Sequence, residues 1–135
     1  MTLLTDIGTF LNDATVSTQN LTLGTNLFLG REPDSPDTCV TIYEPSGSEP
    51  IDTFGDNTAP VLAIPNLQVR CRATTFATAE SLSNDIWTLL TKVINETLTS
   101  TRYLKVSPNQ TPFNLTRDSH DRSIFVCNFT VIKAT

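Results

Sequence analysis

The residues best equipped for chemistry in this 135-residue chain are a short Ser-His-Asp run and a string of carboxylates. Ser119, His120 and Asp121 carry the groups of a hydrolase triad, but three consecutive side chains cannot converge as nucleophile, base and orienting acid. His120 is the only histidine, so no distant imidazole can replace it. We interpret residues 118–121 as a polar hairpin turn. With no phosphate-binding glycine loop or nucleophile elbow either, the sequence does not indicate an enzyme.

The carboxylates follow one another from Glu32 to Asp56 without an intervening basic residue. Such a string could bind a hard cation such as Ca²⁺. Its spacing does not match an EF-hand loop, in which the acids precede a glycine at the sixth position. We therefore predict a solvated acidic stretch, with no metal and no cofactor.

The three cysteines, Cys39, Cys71 and Cys127, each lie within an apolar, strand-like stretch. Their number is odd and their spacing matches no zinc motif. We predict buried thiols that act as small hydrophobic side chains. The chain has no apolar run long enough to span a membrane and no signal-peptide pattern at its start, so we expect it to fold in a cytoplasm and to have no membrane partner.

Charge is divided unevenly along the chain. Residues 1–69 contain nine acidic residues and a single basic one, Arg31, whereas residues 70–135 contain eight basic and five acidic residues. The two halves thus carry about −8 and +3, which gives the net charge of −5. Opposite charge on two parts of one chain favours head-to-tail self-association. The absence of a basic cluster argues against a primary nucleic-acid binder.

Arg70 and Arg72 lie one pleat apart on a predicted strand, so both should project from the same face of the sheet. The simplest interpretation is a solvated sheet face. The alternative is that the two arginines, which are predicted to point outward in either case, meet the acidic stretch of a neighbouring copy, since arginine–carboxylate pairs can fix register.

The elements that must position these residues follow from hydrophobic spacing. Apolar residues three and four apart predict amphipathic helices over residues 2–13 and 76–95. Alternating or short apolar runs predict strands over residues 26–30, 40–44, 61–73, 102–107, 111–117 and 122–132. Residues 45–60, rich in Pro, Gly and acidic residues, are typical of a long mobile loop. The chain is predicted to form one α+β domain with a mostly antiparallel sheet, in which strand 122–132 is central because both its faces are apolar.

Several of these stretches resemble the minor capsid and tail terminator proteins of long-tailed bacteriophages. The resemblance spans nearly the whole chain and is structural in character. It rests on the early helix and on the segments 24–37, 40–44, 67–70, 86–90, 112–113, 117–118 and 125–129.

The resemblance implies a small α+β domain with both helices packed on one side of the sheet. It also implies a structural virion protein, made in the host bacterial cytoplasm, that forms a ring at the head-proximal end of the tail. Such rings are commonly hexameric, stop tail-tube growth and present a surface to the head connector or stopper protein, while DNA passes through the lumen without specific binding. The charge pattern, and not the resemblance, provides the candidate contacts with other subunits or with the tail tube: Arg31, Glu32, Asp34, Asp37, Glu49, Asp52, Asp56, Arg70 and Arg72.

Two other functions remain open at the level of sequence. The first is another neck role, as a head-completion or stopper protein. The second is a monomeric cytoplasmic ligand-binding module, which a stable monomer at high protein concentration would favour.

Overall fold

The structure, a computed structural model, describes residues 2–13, 19–52 and 61–135. These residues form two helices and nine strands. In chain order the elements are α1 (Leu3–Asn12), β1 (Leu27–Leu29), β2 (Cys39–Tyr43), β3 (Ser48–Ile51), β4 (Leu62–Ile64), β5 (Asn66–Ala73), α2 (Phe76–Thr91), β6 (Ile94–Leu98), β7 (Thr101–Pro108), β8 (Phe113–Arg117) and β9 (Ser123–Ala134).

Strand β9 is the centre of one mostly antiparallel sheet, as predicted. On one side it pairs with β5 and then β4, and on the other with β8 and then β7. β2 and β3 lie outside β5 and β4, and β6 lies outside β7. β1 pairs in parallel with β2. The sheet therefore has an upper half, β1–β2–β5–β9–β8, and a lower half, β3–β4–β9–β7–β6.

Both helices pack on one face of this sheet, which confirms the predicted α+β architecture. Each begins at a threonine cap, where the Oγ1 of Thr2 or Thr75 accepts the N–H of the residue three positions later, at 3.2 Å in both cases. Such caps satisfy backbone donors that the first helical turn leaves unpaired. The apolar stripes of the helices join inward strand residues in one core; the fully or nearly buried helix residues are Leu3, Ile7, Leu11, Leu82, Ile86 and Leu90.

The predicted second helix is too long. α2 ends at Thr91, and residues 94–98 form strand β6 instead. Val93 is the last buried residue of the helical stripe, and Asn95 has a φ of 53°, which an α-helix cannot accommodate. A tight turn at Thr99 and Ser100, both with positive φ, then joins β6 to β7.

The predicted loop over residues 45–60 is also partly wrong, because residues 48–51 form β3. All four β3 residues are exposed, so no apolar pattern marks the strand. Residues 53–60 lie outside the described residues.

β2 and β3 form one arm of a long hairpin, and β4 and β5 form the other. The arms bend together where Pro65 separates β4 from β5 and Gly47 lies opposite. A Cβ atom at Gly47 would lie 2.7 Å from Pro65 Cα and closer still to the carbonyl oxygen of Ile64. Asn66 Nδ2 also donates to the Ser46 carbonyl at 2.7 Å. Glycine therefore permits a close backbone approach here that no other residue allows.

Candidate functional site

The acidic segment, defined as residues 32–37, lies against the face of the upper sheet that the helices leave uncovered. β1 and β2 run parallel, so the chain between them must return along the sheet. On its way, Glu32 Oε1 comes within 3.6 Å of Arg70 Nη2 and 3.5 Å of Arg72 Nη1. The acidic stretch and the arginine-bearing strand are thus brought together, but within a single chain.

Arg72, on strand β5, anchors the acidic segment to the sheet. Its Nε donates to the Asp37 carbonyl at 3.2 Å and its Nη2 to the Pro36 carbonyl at 2.6 Å. Only 2% of Arg72 is exposed, so the expectation of an outward side chain is wrong for this residue. Arg70 retains 27% side-chain exposure. The strand alternation places both on the predicted face, but the acidic segment covers one of them.

Arg122 is a second anchor, which was not among the residues predicted from the sequence. Its Nη1 donates to the Asp34 carbonyl at 2.6 Å and to Asp37 Oδ1 at 3.1 Å, and its Nη2 donates to Asp34 Oδ1 at 3.2 Å. Its Nε donates to Asp118 Oδ2 at 2.8 Å. Arg122 therefore joins the 118–122 turn to the acidic segment. The available signal was the spacing of Asp118 and Arg122, four residues apart across a predicted turn.

The protonation of this anchor is fixed by its hydrogen bonds. Burial tends to raise the pKa of Asp118, but the backbone N–H and guanidinium of Arg122 and the N–H of His120 outweigh it and lower that pKa. Burial tends to lower the pKa of Arg122, but its bonds to Asp118, Asp34 and Asp37 raise it. Both groups are charged at neutral pH. The cluster is a fixed electrostatic clamp rather than an acid–base pair.

The Ser-His-Asp run forms the polar turn predicted for it. Asp121 pairs with Arg117 Nε at 3.5 Å, while His120 Nδ1 lies 3.5 Å from Asp34 Oδ1 and 3.5 Å from Ser119 Oγ. The Asp121 carboxylate thus pairs with Arg117 and does not orient the His120 imidazole. The His120 side chain is 61% exposed. No triad geometry results.

The remaining candidate contacts lie apart from this clamp. Arg31 is exposed at the start of the β1–β2 connection. Glu49 lies in β3 and Asp52 follows it, both exposed on the lower half of the sheet. Asp56 lies outside the described residues. Whether any candidate residue contacts another subunit or the tail tube stays a prediction.

The cysteines are free and buried, as predicted. Burial raises the pKa of all three thiols, to about 12 for Cys127, so none is a ready thiolate. Across residues 2–13, 19–52 and 61–135, no group of three His, Cys, Asp or Glu side chains is arranged to hold a metal ion. The helices of the same residues are too short or too polar to cross a membrane.

Comparison with known proteins identifies the family. A family model described as "Bacteriophage tail terminator protein" matches residues 11–135. A search of curated proteins finds no match. Among solved structures, a chain from "Virion of native gene transfer agent (GTA) particle" has a TM-score of 0.66 at 17% sequence identity, over 98% of this chain and 95% of that chain. At this identity the similarity shows a shared fold. The family match covers most of the sequence, and the chain therefore belongs to the bacteriophage tail terminator proteins, which are structural proteins of the virion.

Proposed function

We propose that the protein forms a ring that caps the tail tube and offers the joining surface for the head. The match of the tail terminator model to residues 11–135 carries this proposal. The described geometry is in accord with it, because the polar cluster is a structural clamp with no convergent catalytic groups. A ring of copies, hexameric by resemblance to the family, would lie at the head-proximal end of the tail.

The proposed partners are a second copy of the chain, the tail tube protein, and a head connector or stopper protein. A closed ring requires a heterologous interface, in which one surface of each copy meets a different surface of the next. DNA would pass through the lumen without specific binding. The net charge of −5 supports this part of the proposal, since a protein of like charge does not hold a sliding duplex by counterion release.

The test is tail-tube polymerisation with and without the purified protein. We expect tubes of the same phage's tube protein to grow to broadly distributed lengths alone. They should stop, with extra density at one end, when the protein is added. A parallel pull-down with the head connector separates the proposed role from another neck role. Binding to the connector but never to tubes would overturn the terminator assignment.

A further inference from the structure

The lower half of the sheet ends in two strands that have no outer partner within the described part of the chain. These are β3 on one side and β6 on the other. Unpaired N–H and C=O groups along an edge strand can pair with another chain. Each strand lies two antiparallel steps from β9, so β3 and β6 both run in the direction of β9.

Each edge carries an exposed isoleucine, and both project from the same face of the sheet. Ile51 on β3 is 47% exposed, and Ile94 on β6 is 59% exposed. The pairing registers lead from Ile51 through β4 to Ala134, and from Ile94 through β7 to Ile132. Ala134 and Ile132 are two residues apart on β9 and so share a face. The two isoleucines thus lie on one face at heights that differ by about 7 Å along the strand direction.

The two edges carry opposite charge. The exposed charged residues near β3 are Glu44, Glu49 and Asp52, whereas those near β6 are Lys92, Arg102 and Lys105, with Glu96 as the one acid. The ion pairs found in the described residues include none of these side chains. In contrast, the acidic segment is neutralised by Arg72 and Arg122 of its own chain. Unneutralised charge therefore lies on the sheet edges and not on the acidic segment.

We infer that β3 of one copy lies beside β6 of the next, with Ile51 near Ile94 and the acidic edge facing the basic edge. This inference rests on the proposed ring and identifies the surfaces that close it. The occupant of each edge is a second copy of this chain, because the chain itself supplies the complementary apolar residue and charge. The contact is heterologous, as a closed ring requires.

Strand direction fixes the geometry of this contact. Because β3 and β6 run in the same direction, the inferred ring has an axis roughly along the strands, and rotation about that axis brings the two strands together in parallel. Pro50 removes one backbone donor from β3, which limits open-ended strand pairing at this edge. Side-chain contacts must therefore supply much of the specificity. Charge complementarity directs the encounter and excludes the two like-charged pairings, β3 with β3 and β6 with β6.

Cysteine cross-linking in the presence of tail tubes tests this contact. The two positions differ in height by about 7 Å, which is too far for a disulfide, so a short bismaleimide is the suitable cross-linker. With it, the double variant Ile51→Cys/Ile94→Cys should give a ladder of covalent oligomers that ends at the ring number. The native thiols are buried and contribute little background. Each single variant should remain monomeric on a denaturing gel. The matched control Ile51→Cys/Leu115→Cys places its second thiol on β8, at a residue that is 49% exposed, and should give no ladder.

Charge reversal provides an independent readout. An acidic-edge variant, Glu49→Lys/Asp52→Lys, and a basic-edge variant, Lys92→Glu/Lys105→Glu, should each need at least about tenfold more protein to form rings. The first variant then carries two basic edges and the second two acidic edges. Their equimolar mixture offers an acidic edge to every basic edge, so it should restore ring formation as rings of alternating copies.

The outcomes separate this inference from the proposed function. The edge contact would be overturned, with the terminator role intact, by the following combination of results. The wild type forms rings on tubes, both charge variants form rings as well as the wild type does, and the double cysteine variant gives no ladder. Bismaleimide-linked dimers from either single cysteine variant would indicate an isologous contact and overturn it as well. Failure of the wild-type protein to form any ring on tubes would overturn both.

Discussion

Replacing Arg72 by alanine should lower the free energy of unfolding by about 3 kcal/mol. The change removes two hydrogen bonds from a charged donor to the Pro36 and Asp37 carbonyls, at 2.6 and 3.2 Å, and the 3.5 Å ion pair with Glu32. Hydrogen bonds to charged groups contribute about 1.5–3 kcal/mol each. Removing one member of a buried pair costs about 3–5 kcal/mol. Arg70 remains beside Glu32 and offsets part of the loss, which places the expected value toward the lower end.

Arg70→Ala is the matched control, because Arg70 lies on the same strand and face and reaches the same carboxylate. Its side chain is 27% exposed and its single ion pair spans 3.6 Å, so we expect a loss under about 1 kcal/mol. Urea unfolding followed by the fluorescence of Trp87 measures both variants. For a domain of this size, 3 kcal/mol corresponds to a fall of about 10 °C in Tm. Equal losses from the two variants would refute the assignment of Arg72 as the anchor of the acidic segment.

Three further perturbations follow from other contacts. Gly47→Ala should cost about 1–3 kcal/mol, because its Cβ would meet the backbone of Pro65 and force the long hairpin apart; urea unfolding measures this. Tyr103→Phe should cost about 1–3 kcal/mol, because the Tyr103 hydroxyl donates to the fully buried Asp6 carboxylate at 2.7 Å, and calorimetry should show a lower Tm. Asp118 has a lowered pKa in the folded protein, so its stabilising contribution is complete above the ordinary Asp value of about 3.9 and is lost as pH falls through the folded value. The Tm of the wild type should therefore fall more steeply below about pH 4 than that of Asp118→Asn.

Each of these results has a clear opposite. Unchanged stability of Gly47→Ala would contradict the close approach of the hairpin arms. A double variant Asp6→Leu/Tyr103→Phe should recover part of the stability lost in Tyr103→Phe, since neither polar group is then left buried without a partner. If no stability is recovered, the loss in Tyr103→Phe comes from altered packing and not from the missing hydrogen bond. Parallel Tm curves for wild type and Asp118→Asn between pH 5 and 2 would contradict the ionised Asp118–Arg122 pair.

Much of the fold could be predicted because buried apolar residues recur at a regular spacing, every three or four positions in a helix and every second position on each face of a strand. The stripes of α1 and α2 and the two apolar faces of β9 have this property. All three elements are found, although α2 ends at Thr91 rather than at residue 95. β3 and β6 could not be predicted, since their residues are mostly exposed and their pairing is set by neighbours distant in sequence. Their positions depend on tertiary pairing with β4 and β7.

The sequence indicated that acidic residues and the β5 arginines interact, but not that they interact within one chain. The sequence places acidic residues before arginines of opposite charge, and it suggested that these groups meet between subunits. In the structure, Arg72 and Arg122 hold the acidic segment within one chain. The acidic segment meets its own sheet because the chain crosses back over that sheet between the parallel strands β1 and β2. The spacing of residues in the sequence does not reveal this path. Arg31, Glu49 and Asp52 are exposed candidate contacts that take part in none of the ion pairs among the described residues.

The most direct test of the terminator role is a cryo-electron microscopy reconstruction of tail-tube ends assembled with the protein. We expect a closed ring of identical copies at one end of each tube only, with β3 of each copy beside β6 of the next. Density bound along the tube wall, at both ends, or as isolated copies without a ring would contradict it.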